Sequence, residues 1–291
     1  MKLTRRRFLT ICAAMAAGPA WATPQRWQGR AFGADVSLTI RGPRDDAMAA
    51  IEATRRIIAR VEGLFSLYDP ASALSELNRV GRLREPDPDF LALMQAADLG
   101  YRLTSGLFDP TVQPLWRALA DGSDTAAATA AMGWDRVRFD AGAIRLDRGQ
   151  ALTFNGIAQG FATDLVTAQF QRLGLTETLV NIGEYRAIGG SWRLAISDPV
   201  QGDLGTRRIT QGAIATSSPT ALSLGAQAHI LHPQHRARWS TVSVEADTAT
   251  LADCLSTALC LAPLDQIAAL RAADGIGQIT LVDFNGDLTT L

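Results

Sequence analysis

The chain has 291 residues, and its 28 Lys and Arg residues balance 29 Asp and Glu residues to a formal net charge of −1. This near-neutral charge, with no dense basic run, argues against a nucleic-acid partner. With three His, three Cys and five Met, the sequence offers no cluster of soft ligands, which argues against a copper carrier. The length is sufficient for one large domain, or two small ones, with a substantial core.

The N-terminus has the pattern of an export signal. Consecutive arginines at 5–7 precede Phe8-Leu9, a short apolar run follows, and Ala20-Trp21-Ala22 offers a cleavage site. The apolar run is too short to span a bilayer. We therefore predict a twin-arginine-type signal peptide at residues 1–22 and a periplasmic protein, not itself membrane-spanning, formed by residues 23–291.

In chain order, the first predicted elements are a strand and two helices. Val36, Leu38 and Ile40 alternate with other residues, which is the pattern of a half-buried strand. The long helix after Gly42-Pro43 has one apolar stripe, formed by Ile51, Ile58, Val61 and Phe65. A second helix is predicted from Asp87 as N-cap and Pro88 at its first position to a stop near Gly106. The segment Asp121–Gly133 is predicted to be a small helix in a variable surface insertion.

The second half predicts four strands, two helices and a closing hairpin. The strands lie near Leu179–Ile182, Trp192–Ile196, Ala213–Thr216 and Thr241–Val244. One helix begins near Leu251, another covers about Leu264–Ala272, and Asn285-Gly286 marks the hairpin. Helices mixed with several antiparallel strands favour an α+β (mixed α/β) fold, a single domain with mixed, largely antiparallel sheets flanked by helices.

The stretch Thr153–Asp164 predicts a short strand end, a glycine-bearing turn and the first turn of an amphipathic helix. The start of a helix presents unpaired N–H groups and the positive end of the helix dipole, and both favour an anion. Gly156 and Gly160 would let the backbone approach a phosphate closely. The pattern matches neither common nucleotide-binding fingerprint, so an ordinary strand-to-helix connection is the alternative.

Asp253 and Thr257 form a second candidate constellation. They are four residues apart on the predicted helix, so their oxygens project from one face. A carboxylate and a hydroxyl, completed by backbone carbonyls and phosphate oxygens, suit Mg²⁺ rather than zinc. The alternative is that Asp253 or Thr250 caps the start of this helix.

His229 is the third candidate, because a histidine beside an apolar strand can act as a general base near neutral pH. A purely structural histidine is the alternative. A metal site with His232 and His235 is not favoured, since no third ligand of matching spacing is visible. The hydroxyls of Thr216 and Ser217 stand at the end of a predicted strand and would either contact phosphate or form a turn.

Taken in order, these motifs resemble those of the ApbE family of FAD:protein FMN transferases. Five motifs match across nearly the whole of the mature sequence. They are Phe65-Ser66-x-Tyr68 with Ser72 to Asn78, Phe108-Asp109-Pro110-Thr111-Val112, Gly156-Ile157-Ala158-x-Gly160, Thr216-Ser217 with His229-Ile230-x-x-Pro233, and Ala252-Asp253-x-x-x-Thr257. The segments 154–160, 181–187 and 215–219 resemble the NosX branch, which is associated with maturation of nitrous oxide reductase.

The resemblance implies Mg²⁺-dependent transfer of FMN from FAD to a threonine or serine hydroxyl of a partner protein, with AMP as the leaving group. It implies that Asp253, Thr257 and the carbonyl of Ala158 hold Mg²⁺ and that His229 is the base. The implied contacts to FAD are Tyr68, Ser72, Asn78, Asp109, Thr111, Asn155, Gly156, Gln159, Gly160, Glu184, Thr216 and Ser217. The implied partner is a NosR-type membrane flavoprotein with a periplasmic flavin domain.

Three positions depart from the commoner form of the family. Thr153 and Gln159 stand where Asp and Lys are commoner, and Glu184 stands where a second glycine is usual. Adenine or phosphate would then be bound differently in this chain. Two other functions remain open, an FAD-binding protein without transferase activity and an enzyme that hydrolyses FAD to FMN and AMP. For Tyr68, an ordinary core aromatic is the alternative to a residue that covers the flavin ring.

Overall fold

The computed structural model describes residues 23–224 and 227–291; the predicted signal peptide at residues 1–22 lies outside them. This part of the chain forms eight α-helices and fifteen strands. The helices are α1 (Arg44–Phe65), α2 (Ala73–Val80), α3 (Pro88–Leu103), α4 (Gln113–Asp121), α5 (Thr125–Ala131), α6 (Ala158–Arg172), α7 (Ala249–Leu259) and α8 (Leu264–Leu270). The strands are β1 (Gln25–Ala31), β2 (Ala34–Arg41), β3 (Arg82–Arg84), β4 (Arg138–Phe139), β5 (Ala143–Arg145), β6 (Glu177–Asn181), β7 (Tyr185–Ile188), β8 (Trp192–Asp198), β9 (Gly202–Ile209), β10 (Gly212–Ser217), β11 (Ser223–Leu224), β12 (Gln227–Ala228), β13 (Thr241–Ala246), β14 (Ile276–Val282) and β15 (Leu288–Thr290).

An eight-stranded sheet organises these elements. Its order is β1-β2-β6-β7-β10-β13-β14-β15, and each neighbouring pair is antiparallel. Three small antiparallel sheets, β3-β5-β4, β8-β9 and β11-β12, lie outside it. This architecture confirms the predicted α+β class with largely antiparallel sheets. None of the helices in the described residues combines the length and apolar character needed to cross a membrane.

A cluster of phenylalanines anchors the segment that leads into α6. Phe154 is fully buried and meets Phe65 of α1 and Phe90 of α3 edge to face, with ring centroids 5.5 Å and 5.9 Å apart. Phe161, one turn into α6, meets Phe65 in the same way at 6.2 Å. Aromatic pairs of this kind contribute about 0.5–1.5 kcal/mol each beyond the area they bury. The glycine-bearing turn at 155–157 is therefore held in place by phenylalanines of the core on both sides of it in the sequence, Phe154 and Phe161.

Most predicted elements are confirmed. Helix α1 buries the predicted stripe of Ile51, Ile58, Val61 and Phe65, and α3 begins at Pro88 with the Asp87 carboxylate accepting the N–H of Asp89. The four predicted strands are β6, β8, β10 and β13. The small helix in 121–133 is α5, which buries no residue, and the predicted hairpin joins β14 and β15.

The predicted strand end at Thr153-Phe154 is wrong. Residues 151–154 belong to no strand, because their backbone groups bond to side chains and loops instead. The side chain of Asn78 both donates to the carbonyl of Leu152 and accepts its N–H, at 2.8 Å and 2.7 Å. The N–H of Thr153 donates to the carbonyl of Pro110 at 2.9 Å. The apolar residues that suggested a strand are buried by the helices around them.

Helices α6 and α7 cross in close contact at Gly160. A Cβ atom placed on Gly160 would lie 2.6 Å from the carbonyl carbon of Ala249 and 2.8 Å from Cβ of Asp253. Both neighbours belong to α7, and one of the clashing groups is backbone, so no side-chain rotation relieves the contact. The glycine is required here by the approach of the two helices rather than by its backbone angles.

We expect Gly160→Ala to lower the free energy of unfolding by about 2–3 kcal/mol, because the methyl group must push α7 away. Gly63→Ala is the matched control, since Gly63 is an exposed residue of α1 with nothing within 4 Å of the position that the new methyl group would occupy. The control should stabilise by about 0.5–1 kcal/mol, as expected for Gly to Ala in a helix. Urea unfolding of both variants measures the difference. Equal effects would contradict the close crossing.

Candidate functional site

The starts of α6 and α7 are each satisfied by a carboxylate from the other helix. Asp253 of α7 accepts the N–H of Gly160 at 2.9 Å. Asp164 of α6 accepts the N–H groups of Ala249 and Thr250, both at 2.9 Å. A negative charge at a helix N-terminus also interacts favourably with the helix dipole. The two helix starts are thereby locked to each other.

Asp164 is in turn paired with Arg186 of β7, whereas Asp253 has no basic partner among the described residues. Asp253 is 3% exposed. Burial raises its pKa to about 7, against the opposing effect of the Gly160 hydrogen bond and with a further rise from Asp164. An ordinary aspartate titrates near 3.8, so this carboxylate is held at a considerable electrostatic cost.

Glu184 brings a second buried carboxylate to Asp253. It lies in the tight turn between β6 and β7, and its Oε2 accepts the N–H of Thr216 at 3.2 Å. Burial, together with the nearby charge of Asp253, holds the pKa of Glu184 well above its ordinary value. Two buried carboxylates that repel each other and lack a basic partner in the described chain are the arrangement that a bound cation would relieve.

Hydroxyl groups line the same place. Ser217, at the end of β10, lies with its Oγ 3.3 Å from Oγ1 of Thr257 and 2.8 Å from Oγ of Ser256. Gly156 faces Thr257 so closely that a Cβ atom there would be 2.9 Å from Oγ1 of Thr257. The turn before α6, the end of β10 and the middle of α7 therefore converge on one oxygen-rich site. Asn155 is exposed at its edge, and Ala158, the first residue of α6, is buried beneath it.

Two more predicted residues lie near this site, Gln159 of α6 and Thr216 of β10. The side chain of Gln159 packs directly on Gly183, which has a φ of 94° and no room for a side chain. Gln159 therefore lies over the turn that carries Glu184. Thr216 is exposed, and its Oγ1 donates to Oγ of Ser243 at 3.0 Å.

The remaining predicted FAD contacts have side chains engaged in local structure. Ser72 caps α2 by accepting the N–H of Ser75 and donating to the carbonyl of Ser66. Asn78 is committed to both backbone groups of Leu152. Asp109 accepts the N–H and the hydroxyl of Thr111, and the same hydroxyl accepts the N–H of Gly133.

Asn78 and the 109–111 turn nevertheless bear on the site, because they hold the backbone of residues 152 and 153 just before Gly156. Tyr68 is different. Its side chain is 85% exposed, so the interpretation as an ordinary core aromatic is wrong. An exposed tyrosine is free to cover a bound ring.

His229 follows β12, and its ring is hydrogen-bonded to the segment after β10. Its Nδ1 lies 3.1 Å from the carbonyl of Pro219 and 3.2 Å from that of Leu222. Because a carbonyl only accepts, Nδ1 carries the proton and Nε2 is the free base. Burial lowers the pKa of His229, which keeps the ring neutral at pH 7. The rings of His232 and His235 are in contact, tilted by 58° with centroids 4.6 Å apart. No group of three or more His, Cys, Asp or Glu suited to a metal occurs in 23–224 and 227–291.

The alternative that Asp253 or Thr250 caps the start of α7 is wrong. Helix α7 begins at Ala249 with Thr248 as its N-cap, so Asp253 lies in the second turn and does not cap its own helix. It instead accepts an N–H at the start of α6. Four residues that hold the site in place were not predicted from the sequence: Asp164, Arg186, Ser243 and Ser256. Asp164 could have been predicted, because an aspartate among the apolar residues of a predicted helix requires a polar partner.

Together these features define an α+β protein with a buried, acidic, hydroxyl-lined site at the start of α6, beside Gly156 and Gly160. The sequence model of the ApbE family matches residues 32–279. The chain belongs to the ApbE family.

Individual relatives agree with this assignment. The FAD:protein FMN transferase of Rhodobacter capsulatus is 27% identical over 277 residues, covering 84% of this chain and 51% of the relative. This chain therefore spans about half the length of the curated relative it matches. The fold is similar to that of the apo flavinyl transferase ApbE of Pseudomonas stutzeri, with a TM-score of 0.81, 24% identity and coverage of 94% and 96% of the two chains. It is also similar to the ApbE protein of Thermotoga maritima, with a TM-score of 0.82, 23% identity and coverage of 92% and 96%.

The raised pKa of Asp253 predicts a specific pH dependence of stability. Between about pH 4 and pH 7 the folded protein keeps a proton on Asp253 that the unfolded chain has lost. The free energy of unfolding should therefore fall as pH rises through this window, by at most about 4 kcal/mol for a shift of this size. Asp253→Asn keeps an oxygen for the N–H of Gly160 and should remove this part of the slope.

Urea unfolding of both proteins in EDTA, at pH 5 and pH 8, measures the difference. The variant should be more stable than the wild type at pH 8 and close to it at pH 5. A slope identical in the two proteins would contradict the buried, proton-holding state of Asp253.

Proposed function

We propose that this protein is an FAD:protein FMN transferase that acts with Mg²⁺ on a threonine or serine hydroxyl of a partner protein. The observation that carries the proposal is the buried pair of Asp253 and Glu184, beside the Thr257 hydroxyl and the start of α6. Membership of the ApbE family and similarity to a transferase of that name support it.

The donor set fits Mg²⁺. Carboxylate and hydroxyl oxygens are the ligands that this hard cation prefers, usually few in number and completed by substrate phosphates. Asp253 accepts the N–H of Gly160 through Oδ2, and Glu184 accepts the N–H of Thr216 through Oε2, so Oδ1 and Oε1 would be the oxygens offered to a cation. Asp253, Thr257 and the carbonyl of Ala158 would hold the metal, and Glu184 would add a second negative charge. When bound, Mg²⁺ neutralises the charge that develops on the pyrophosphate.

The protein groups around it have distinct roles. Asn155, Gly156, Gln159 and Gly160 would lie against the pyrophosphate at the start of α6, where the helix dipole favours an anion. The N–H of Gly160 is already donated to Asp253, so the N–H groups of Gly156 and Gln159 would make the hydrogen bonds to the phosphate oxygens. The acceptor hydroxyl forms a bond to the phosphorus on the FMN side, and the bond from that phosphorus to the AMP oxygen breaks. The proton of the hydroxyl passes to Nε2 of His229, which is neutral because its pKa is lowered by burial.

The remaining proposed FAD contacts lie at the rim. Tyr68 is exposed and covers the flavin ring, while Thr216 and Ser217 contact phosphate from the end of β10. The partner that we propose is a NosR-type membrane flavoprotein, and the process is maturation of nitrous oxide reductase. The pattern of an export signal in residues 1–22 supports a periplasmic site of action.

Thr257→Val should weaken Mg²⁺ binding on the order of 10- to 100-fold, because it removes one ligand oxygen while keeping the shape. The thermal shift produced by Mg²⁺ measures this without any reaction. Thr167→Val is the matched control, since Thr167 is a buried threonine whose hydroxyl only donates to the carbonyl of Thr163 in α6. If the thermal shift produced by Mg²⁺ is lost in both variants, or in neither, Thr257 is not a Mg²⁺ ligand.

Transfer itself is tested by incubating the protein with FAD, Mg²⁺ and the periplasmic flavin-domain fragment of a NosR-type protein. Mass spectrometry should find an FMN-sized adduct on a threonine of the fragment, and Asp253→Ala should abolish it. FMN and AMP without an adduct would support FAD hydrolysis instead. Tight binding of intact FAD with neither product would support a binding protein.

His229→Gln should lower the rate of adduct formation about 10²- to 10⁴-fold, the usual contribution of a general base. The Mg²⁺-induced thermal shift should stay at the wild-type value, because His229 is not among the proposed ligands. His235→Gln makes the same chemical change in the neighbouring loop and should leave the rate unchanged. A rate that survives His229→Gln would rule out this base.

A further inference from the structure

Three arginines that are distant in sequence form a row on the small sheet β3-β5-β4. Arg82 of β3 is directly paired with Arg145 of β5, and Arg145 is directly paired with Arg138 of β4. Residues directly opposite in neighbouring strands project to the same face. All three are exposed, while the alternate residues Leu83 and Ile144 face the core. One surface of this sheet is therefore strongly basic.

The row ends beside a cleft of about 620 Å³. Gly81 and Leu146, the neighbours of Arg82 and Arg145, line this cleft and are joined by a hydrogen bond of 2.9 Å. Three more exposed arginines also line the cleft. We call the six residues of the row and the cleft the arginine face; they are Arg79, Arg82, Arg117, Arg138, Arg145 and Arg148.

The positive charge of the arginine face is largely uncompensated. None of its six arginines forms an ion pair with the described residues. Two aspartates line the cleft, Asp121 and Asp147, and Asp147 is already paired with Arg136 at 3.3 Å. Asp140 lies near Arg145, but its Oδ1 accepts the N–H groups of the turn at 142–143.

Folding gains nothing from this arrangement. Like charges directly opposite each other in a sheet destabilise it, and any neutral residue would avoid that cost. The chain between 23 and 291 contains no lysine, so every side-chain cation here, apart from histidine, is a guanidinium. Guanidinium groups present a planar fork that binds carboxylates through two parallel hydrogen bonds.

We propose that the arginine face binds an acidic segment of a partner protein. The cleft is concave, which suits an extended chain rather than a flat lipid surface, and Val80 beside it is 53% exposed and offers an apolar contact. The residues that line the cleft include no aromatic platform for stacked bases. The inference goes beyond the proposed transfer reaction and does not depend on the metal site.

The test measures binding of a fluorescently labelled poly-glutamate peptide to the full protein by anisotropy, at low and at physiological salt. We expect salt-sensitive binding. The double variant Arg82→Gln/Arg145→Gln should bind about tenfold more weakly. Its melting temperature should be no lower than that of the wild type, because the cross-strand repulsion is relieved.

The matched control is Arg193→Gln/Arg208→Gln. These two exposed arginines are also directly paired across strands, but in β8-β9, a sheet separate from the one that carries the arginine row. The control carries the same change in net charge and should bind the peptide like the wild type. Equal weakening in both double variants would mean that net charge alone attracts the peptide, and no weakening in either would also overturn the proposal. Stronger binding of phosphatidylglycerol vesicles or of a single-stranded oligonucleotide than of the peptide would assign the surface to those partners instead.

Discussion

The crossing of α6 and α7 at Gly160 constrains the rest of the structure. Each helix start would leave several N–H groups without partners inside the protein, where water cannot satisfy them. Asp253 and Asp164 each supply acceptors to the opposite helix, so neither helix start is complete without the other. The two carboxylates can reach across only because position 160 has no side chain. The packing of residues near 160 against residues near 250 thus depends on the missing side chain at Gly160 and on two aspartates, Asp164 and Asp253.

The same crossing creates the chemistry of the site. Once Asp253 is committed to the start of α6, it is too deep for water to solvate it, and Glu184 in the neighbouring turn adds a second charge of the same sign. Arg186, the basic residue of β7, is already paired with Asp164. The electrostatic cost therefore remains with Asp253 and Glu184. Sites at which a protein departs from its most stable arrangement are often functional, and a divalent cation is the simplest group that would remove this cost.

Much of the fold followed from local patterns in the sequence. The stripe of α1 and the Asp87-Pro88 start of α3 were predictable, because periodicity and capping act over a few residues. The apparent strand at Thr153-Phe154 was not, since its apolar residues are buried by helices and its backbone is held by Asn78, more than seventy residues away. The Asp253–Thr257 pair could be placed on one helix face from spacing alone. That Asp253 would bond to Gly160 rather than cap its own helix could not be inferred, because the bond spans ninety-three residues.

The arginine face could not be predicted from the sequence either. Charge counting along the chain finds no basic stripe, because its arginines are spread from position 79 to position 148 and alternate with aspartates and glutamates. The pairing of β3, β5 and β4 aligns three of them, and three more line the neighbouring cleft. The acidic site and the basic face are thus alike in one respect: each gathers charges of one sign that form no ion pairs within the described residues. In the first the charges are buried, so the expected occupant is a small cation; in the second they are exposed and set around a cleft, so the expected occupant is a larger anion with many weak contacts.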